Sequence, residues 1–172
     1  MNTTFAIRSA TPADIPALAA LARDTWHRHY PAIISTAQIE YMLAERYHPD
    51  VIREQLGRAE MWWDLLVTDA GLAAFAATET GAQAGEIKID KLYVRYELRG
   101  GGLGAALLRH IEQRAIDMGM QRLYLQVNKH NASAIGAYRR SGFEIAESAT
   151  FDIGTGFVMD DYIMARIPGA AA

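Results

Sequence analysis

Apolar positions recur along this chain in two periods, and each change of period marks a change of element. Phe5-Ala6-Ile7-Arg8 reads as a short strand, and Thr11-Pro12-Ala13-Asp14 behind it carries helix-start chemistry, with Thr11 as cap, Pro12 in the first helical position and Asp14 near the positive end. Ile15, Leu18 and Ala22 then repeat at helical spacing; Ile39, Met42 and Leu43 do so after Ser35-Thr36, and a shorter helix is predicted from Asp50 to Leu56. From Leu65 the period shortens. Leu65 to Thr68 and Leu72 to Ala77 flank Asp69-Ala70-Gly71, the pattern of a hairpin, and Trp62-Trp63 ahead of it is expected in the core. Glu86 to Val94 follows as a third strand, whose early residues alternate so that Glu86, Lys88 and Asp90 share one face.

A glycine-dense loop, Arg99-Gly100-Gly101-Gly102-Leu103-Gly104, then opens a long amphipathic helix carrying Leu107, Ile111, Ala115 and Met118 and closed by Gly119. Leu123, Leu125 and Val127 alternate in the next strand, and Asn131 caps a helix running through Ile135 and Tyr138 to Gly142. Two strands, Phe143 to Phe151 and Phe157 to Ile167, finish the chain around Gly154-Thr155-Gly156. The fold class expected is α/β (α+β) with a mixed sheet, as one domain over 1–167 with a short tail over 168–172.

Composition narrows the chemistry. With 172 residues, 51% of them apolar, the chain can bury a core unaided, and the absence of cysteine excludes a catalytic thiol, an iron–sulfur cluster, thiolate zinc and an internal disulfide. Lys+Arg 17 against Asp+Glu 20, a net charge of −3, argues against nucleic acid as partner. No apolar run approaches the roughly eighteen residues of a membrane span and Met1 to Ile7 lacks signal-peptide features, so no membrane role and a cytoplasmic setting are expected. His27 and His29 lack a nearby acidic or third ligand, so no metal is expected.

Glycines between strand and helix permit positive φ and let successive N–H groups converge beside the positive helix end, which suits a phosphate or pyrophosphate. The loop lacks the Lys-Ser/Thr of a nucleotide-hydrolysing loop, because Ala105-Ala106 follows Gly104, and a dinucleotide fingerprint fails at Leu107. It matches Arg/Gln-x-x-Gly-x-Gly/Ala through Arg99, Gly102 and Gly104, directly after a strand ending Leu92-Tyr93-Val94. A second stretch, Leu125-x-Val127, Asn131, Ala134, Tyr138 and Ser141-Gly142-Phe143, follows in order. Together these resemble the GNAT superfamily of acyl-CoA-dependent N-acyltransferases, over roughly residues 5 to 167 and most specifically 86 to 143. Tyr96 stands where members often have proline, and Gly101 where a basic residue is frequent.

The resemblance implies a mostly antiparallel, twisted sheet of six to seven strands with helices on both faces, and acetyl-CoA as co-substrate. It places Leu92, Tyr93 and Val94 on the pantetheine arm, Gly100, Gly102 and Gly104 with Arg99 on the pyrophosphate, Gly101, Leu103 and Ala105 among the cofactor-binding residues, Asn131 facing the cofactor, and Tyr138 as the acid for the departing thiolate. An ordinary phenol, with a pKa of about 10, stays protonated against a thiol of about 8.5. For the base, the shared strand face leaves three readings open: Glu86 or Asp90 accepts the amine proton directly or through a water, or a neutral amine is drawn from solution and no single base residue exists. Trp26 and Tyr30 lie in a region that the resemblance assigns to the acceptor wall, and Asp160-Asp161 with Met164 is similar to an element of bacterial polyamine acetyltransferases. The function expected is direct acetyl transfer to a primary amine, first a polyamine or other small-molecule amine. A peptide or protein N-terminus is the alternative acceptor, and a catalytically silent acyl-CoA sensor the alternative class. A homodimer through the last strands is compatible with the resemblance.

Overall fold

A computed structural model describes residues 4–170. In chain order the elements are β1 (Ala6–Ser9), α1 (Ile15–His29), α2 (Thr36–Tyr47), α3 (Pro49–Leu56), β2 (Met61–Thr68), β3 (Gly71–Thr80), β4 (Glu86–Val94), α4 (Leu103–Asp117), β5 (Arg122–Asn128), α5 (Ala132–Arg140), β6 (Glu144–Gly154) and β7 (Phe157–Arg166). The strands form one mixed sheet in the order β1-β2-β3-β4-β5-β7-β6. β4 and β5 run parallel, whereas β1/β2, β5/β7 and β6/β7 pair antiparallel. The parallel step falls where the chain inserts a helix between strands, which is the connection parallel pairing requires.

The chain divides into two compact units, Met1–Thr78 with Lys91–Leu107 and Glu79–Asp90 with Leu108–Ala172. In the first, Arg8 donates to both oxygens of Asp14 at 2.8 and 2.7 Å, and the Thr11 N–H donates to the same carboxylate at 2.8 Å. These bonds start a short 3₁₀ turn over Pro12–Asp14 that leads into α1, which buries Ile15, Leu18, Leu21, Ala22 and Trp26. Ser35 caps α2 by accepting from the Gln38 N–H at 3.2 Å, and the His48 ring caps α3 by accepting from the Asp50 N–H at 3.3 Å. The predicted hairpin is β2–β3; Trp63 is buried and stacks on Phe75 at 5.9 Å, while Trp62 is half-buried. At the end of β4, Lys91 and Tyr93 reach α3 and α1/α2, whereas Leu92 and Val94 lie against Gly104 of α4, so helices cover both faces here.

In the second unit Leu108, Ile111 and Ala115 of α4 are buried, as are Leu123, Leu125 and Val127, the alternating residues of β5. Gly119 ends α4 and Gly142 follows α5, both at positive φ (68° and 81°), where an L side chain would be strained. Of the tail, the Gly169 N–H donates to Glu112 of α4 at 3.0 Å, and the Ala170 carbonyl accepts from Arg166 at 2.8 Å. Residues 171 and 172 lie outside the described residues.

Candidate active site

In the first unit the glycine loop sits where β4 has ended and α4 begins. Gly100 and Gly102 have φ of 79° and 81°, and a Cβ at either would meet no atom within 4 Å, so glycine is there for the backbone conformation rather than for room. Gly104 is different: a Cβ would lie 3.5 Å from Val94 and 3.8 Å from Leu92, ordinary contact that leaves α4 close against the strand. The loop takes this form without help from bulky side chains, the Gly101 N–H donating to the Leu98 carbonyl at 3.4 Å, at the N-terminus of a fifteen-residue helix whose first N–H groups have no intrahelical acceptor. Such an end accepts an anion. Arg99 is held against His29 (3.1 Å) and over the Tyr96 ring (5.1 Å to the centroid), so Tyr96, where proline is common in similar chains, supplies a platform for the loop arginine.

The same unit gathers Trp26, Tyr30, Tyr47 and Tyr93. Trp26 and Tyr30 stack at 4.3 Å, and the Trp26 indole N–H donates to the Tyr93 hydroxyl at 3.2 Å. That hydroxyl lies 2.7 Å from the hydroxyl of Tyr47. Trp26 is only 3% exposed and half-buried Tyr30 lies over it, so of the two residues expected in the acceptor wall Tyr30 is the one nearer solvent. Burial, reinforced by Tyr47, holds the Tyr93 hydroxyl well above the ordinary phenol value. The hydroxyl pair is legible in no sequence pattern, since Tyr47 and Tyr93 are 46 residues apart. Beneath it Lys91 is 2% exposed, donates to Gln55 at 3.1 Å and lies 5.3 Å from the Trp63 ring.

His27 and His29 turn to different partners: the His27 ring lies 2.5 Å from Glu40, and His29 takes the contact from Arg99. Among the described residues no group of three or more His, Cys, Asp or Glu could hold a metal ion.

In the second unit Glu86, Lys88 and Asp90 occur on alternate positions of β4, as expected, but their surroundings differ. Glu86 accepts from Arg122 at 2.8 Å and from the Gln83 N–H at 3.2 Å. The Arg122 hydrogen bond holds its carboxyl below the usual carboxylate range against the opposing effect of burial. Gly81 packs onto it so closely that a Cβ there would fall 2.4 Å from the Glu86 Cβ. Glu86 is thus tied to Arg122 and to the turn before β4. Asp90, its side chain 5% exposed, has the Lys88 ammonium at 3.3 Å; Lys88 also reaches Glu79 at 3.4 Å.

Asn131 caps α5 by accepting from the Ala134 N–H at 3.3 Å and is buried. Tyr138, two turns along that helix, sets its half-buried ring edge-on to Phe143 at 5.9 Å, and burial pushes its hydroxyl up to about 12. The two residues of the Asp160-Asp161 pair differ in exposure, the Asp160 side chain being 44% exposed. Lys129 holds Asp160 at 2.5 Å and depresses its carboxyl, Thr150 adds a bond at 3.2 Å, and Asp161 is buried at 2% exposure.

No helix among the described residues is long and apolar enough to cross a membrane. Comparison with known proteins matches residues 19–143 to the acetyltransferase (GNAT) family. Spermidine N(1)-acetyltransferase of Thermoplasma acidophilum is 25% identical over 158 residues, covering 90% of this chain and 94% of that protein. Streptothricin acetyltransferase of Streptomyces lavendulae is 41% identical over 75 residues, a stretch spanning 44% of this chain and 40% of that enzyme. Among solved structures, the PaiA N-acetyltransferase of Thermoplasma acidophilum in complex with coenzyme A superposes with a TM-score of 0.82 at 22% identity, over 95% of this chain and 99% of that one. With the loop, the strand and the family match in agreement, this chain belongs to the GNAT acetyltransferase family and is an acetyl-CoA-dependent N-acetyltransferase.

Proposed function

We propose that the acceptor is a primary amine of a small cationic molecule, with a polyamine as the first candidate, and that the acetyl group passes to it directly from acetyl-CoA. The observation carrying this reading is Asp90, a shielded carboxylate two positions before the strand residues that the family resemblance assigns to the cofactor. The surrounding polar positions favour a cation: Glu79, Glu86 and Asp90 stand against Lys88 and Arg122. The full-length similarity to a spermidine acetyltransferase supports the same acceptor class.

In this reading the backbone of Leu92, Tyr93 and Val94 aligns the pantetheine arm and polarises the thioester carbonyl, while the N–H groups of Gly100, Gly102 and Gly104, with Arg99 beside them, take the pyrophosphate. Asp90 takes the ammonium proton, the neutral amine attacks the carbonyl carbon, the C–N bond forms, and the C–S bond breaks. Tyr138 meets the departing sulfur. Net transfer from a phenol at about 12 to a thiolate whose thiol lies near 8.5 is uphill by roughly 5 kcal/mol. Its contribution is therefore a hydrogen bond to the developing thiolate, with the final proton drawn from the amine or from solvent. The chain has no cysteine, and no other residue stands out as a nucleophile for an acetyl-enzyme, so the reading is a ternary-complex transfer.

The test is thiol release from acetyl-CoA against a panel of polyamines, monoamines, streptothricin and peptides with free N-termini. Polyamines should give the highest kcat/KM. Preference for a peptide N-terminus would replace the acceptor class, and acetyl-CoA binding without release on any amine would make the protein a sensor.

A further inference from the structure

The chain carries three lysines, Lys88, Lys91 and Lys129, against fourteen arginines. In a protein whose reaction consumes primary amines, each of its own ε-amines is a competing acceptor, so where those amines sit matters. Lys91 is withdrawn into the interior at 2% exposure. Lys129, its side chain 24% exposed and so as open to solvent as Lys88, is locked by a 2.5 Å contact with Asp160 and lies 5.7 Å from the Tyr162 ring centroid. Lys88 is neither. It keeps 21% exposure, and its ammonium is shared between Glu79 at 3.4 Å and Asp90 at 3.3 Å. Both contacts are longer than the roughly 2.7–2.9 Å of a strong charge-assisted bond, so the amine is oriented by two carboxylates without being fixed to either.

We infer that Lys88 is an acceptor within the chain, acetylated on Nζ by the protein's own bound acetyl-CoA when no external amine is present. The inference rests on the reading of Asp90 as the base, and it places an amine of the protein against that base. The Lys88 ammonium gives one proton to Asp90, and its nitrogen lone pair attacks the thioester carbonyl carbon. The N–C bond forms, the C–S bond breaks, and the second nitrogen proton is released as coenzyme A leaves and is protonated to the thiol. The products are Nε-acetyl-Lys88, coenzyme A and one proton net. The modification removes the positive charge that Glu79 and Asp90 share, leaving both carboxylates turned toward a neutral amide.

The experiment incubates the intact protein with acetyl-CoA alone and follows acetylation by peptide mass mapping. Lys88 should gain one acetyl group with Lys129 labelled about 100-fold more slowly, the scale of a positioned base. The rate per molecule should be independent of protein concentration. Asp90→Asn should slow labelling at Lys88 by acetyl-CoA about 100-fold while leaving labelling of the same residue by acetic anhydride, which shows that the variant is folded and the amine accessible. Lys88→Arg should lose the added mass. An unlabelled Lys88 in protein that releases thiol with external amines overturns this inference and leaves the acceptor reading standing. Labelling unaffected by Asp90→Asn, or proportional to protein concentration, overturns it as well. Absence of both acetyl-CoA binding and thiol release overturns the proposed function itself.

Discussion

The glycine loop of the first unit and the carboxylate positions of the second are built from opposite materials. From Gly100 to Ala105 the polar groups are those of the backbone, placed by two positive-φ glycines and a helix start, with the Arg99 side chain alongside. Around β4 of the second unit the working groups are side chains, and each carboxylate takes its character from its neighbours: Arg122 for Glu86, Lys88 for Asp90. A backbone-built site carries no titrating group and responds to steric and conformational change. A side-chain site responds to charge and pH. The same β4 strand serves both, because its first five residues belong to one unit and its last four to the other.

Substitutions can break this contrast at either end. The largest effect is expected at Asp90→Asn, which should lower kcat about 100- to 1,000-fold in the amine assay with the acetyl-CoA Kd little changed, because only the proton acceptor is removed. An equal loss of cofactor affinity would show that the carboxylate shapes the cofactor site instead. Tyr138→Phe should cost roughly 10- to 100-fold in kcat with coenzyme A affinity held, measured by calorimetry beside turnover, since one hydrogen bond to the developing thiolate is lost. Unchanged turnover would reassign the residue to packing on Phe143.

Gly102→Val sharpens the backbone side. A β-branched residue forced to φ near 81° costs about 1–3 kcal/mol, so acetyl-CoA should bind roughly 10-fold more weakly while kcat at saturation stays close to the parent value. Glu86→Gln separates the two carboxylates: turnover should change less than about 3-fold, whereas stability in urea should fall by about 1–3 kcal/mol as Arg122 loses its nearer carboxylate, keeping Glu147 at 3.8 Å. The acid limb of stability carries the same signature. Glu86 is depressed in the folded protein, so its contribution is complete above its unfolded value of about 4.3 and is lost as pH falls below that through the folded value. Asp14, held low by Arg8, acts in the same direction, and Glu86→Gln should flatten the melting-temperature decline between about pH 4 and 3.

How much was legible in advance follows the range of the interactions. The strand Glu86–Val94 is read with its boundaries, and Ser35, Asn131 and Gly119 mark helix ends, because caps and alternation are decided within a few residues. The glycine loop is likewise local. The difference between Glu86 and Asp90 is not, since alternation assigns a face and no partner, and Arg122 lies 36 residues from Glu86. The aromatic group escapes for the same reason. Tyr93 is marked in the sequence only as backbone for the pantetheine arm, and its side chain proves to join Trp26 and Tyr47, from two different helices.

The sequence by itself determined which backbone segments take which form and that a glycine loop joins β4 to a helix start, since φ freedom, capping and periodicity are properties of neighbouring residues. Only the tertiary structure decided which charges meet. It placed Lys91 in the interior, tied Glu86 to Arg122, left Asp90 shared with Lys88 and raised Tyr138 by burial. Proton affinity depends on solvent exclusion and on charges a few ångströms away, and folding brings those charges from distant parts of the chain.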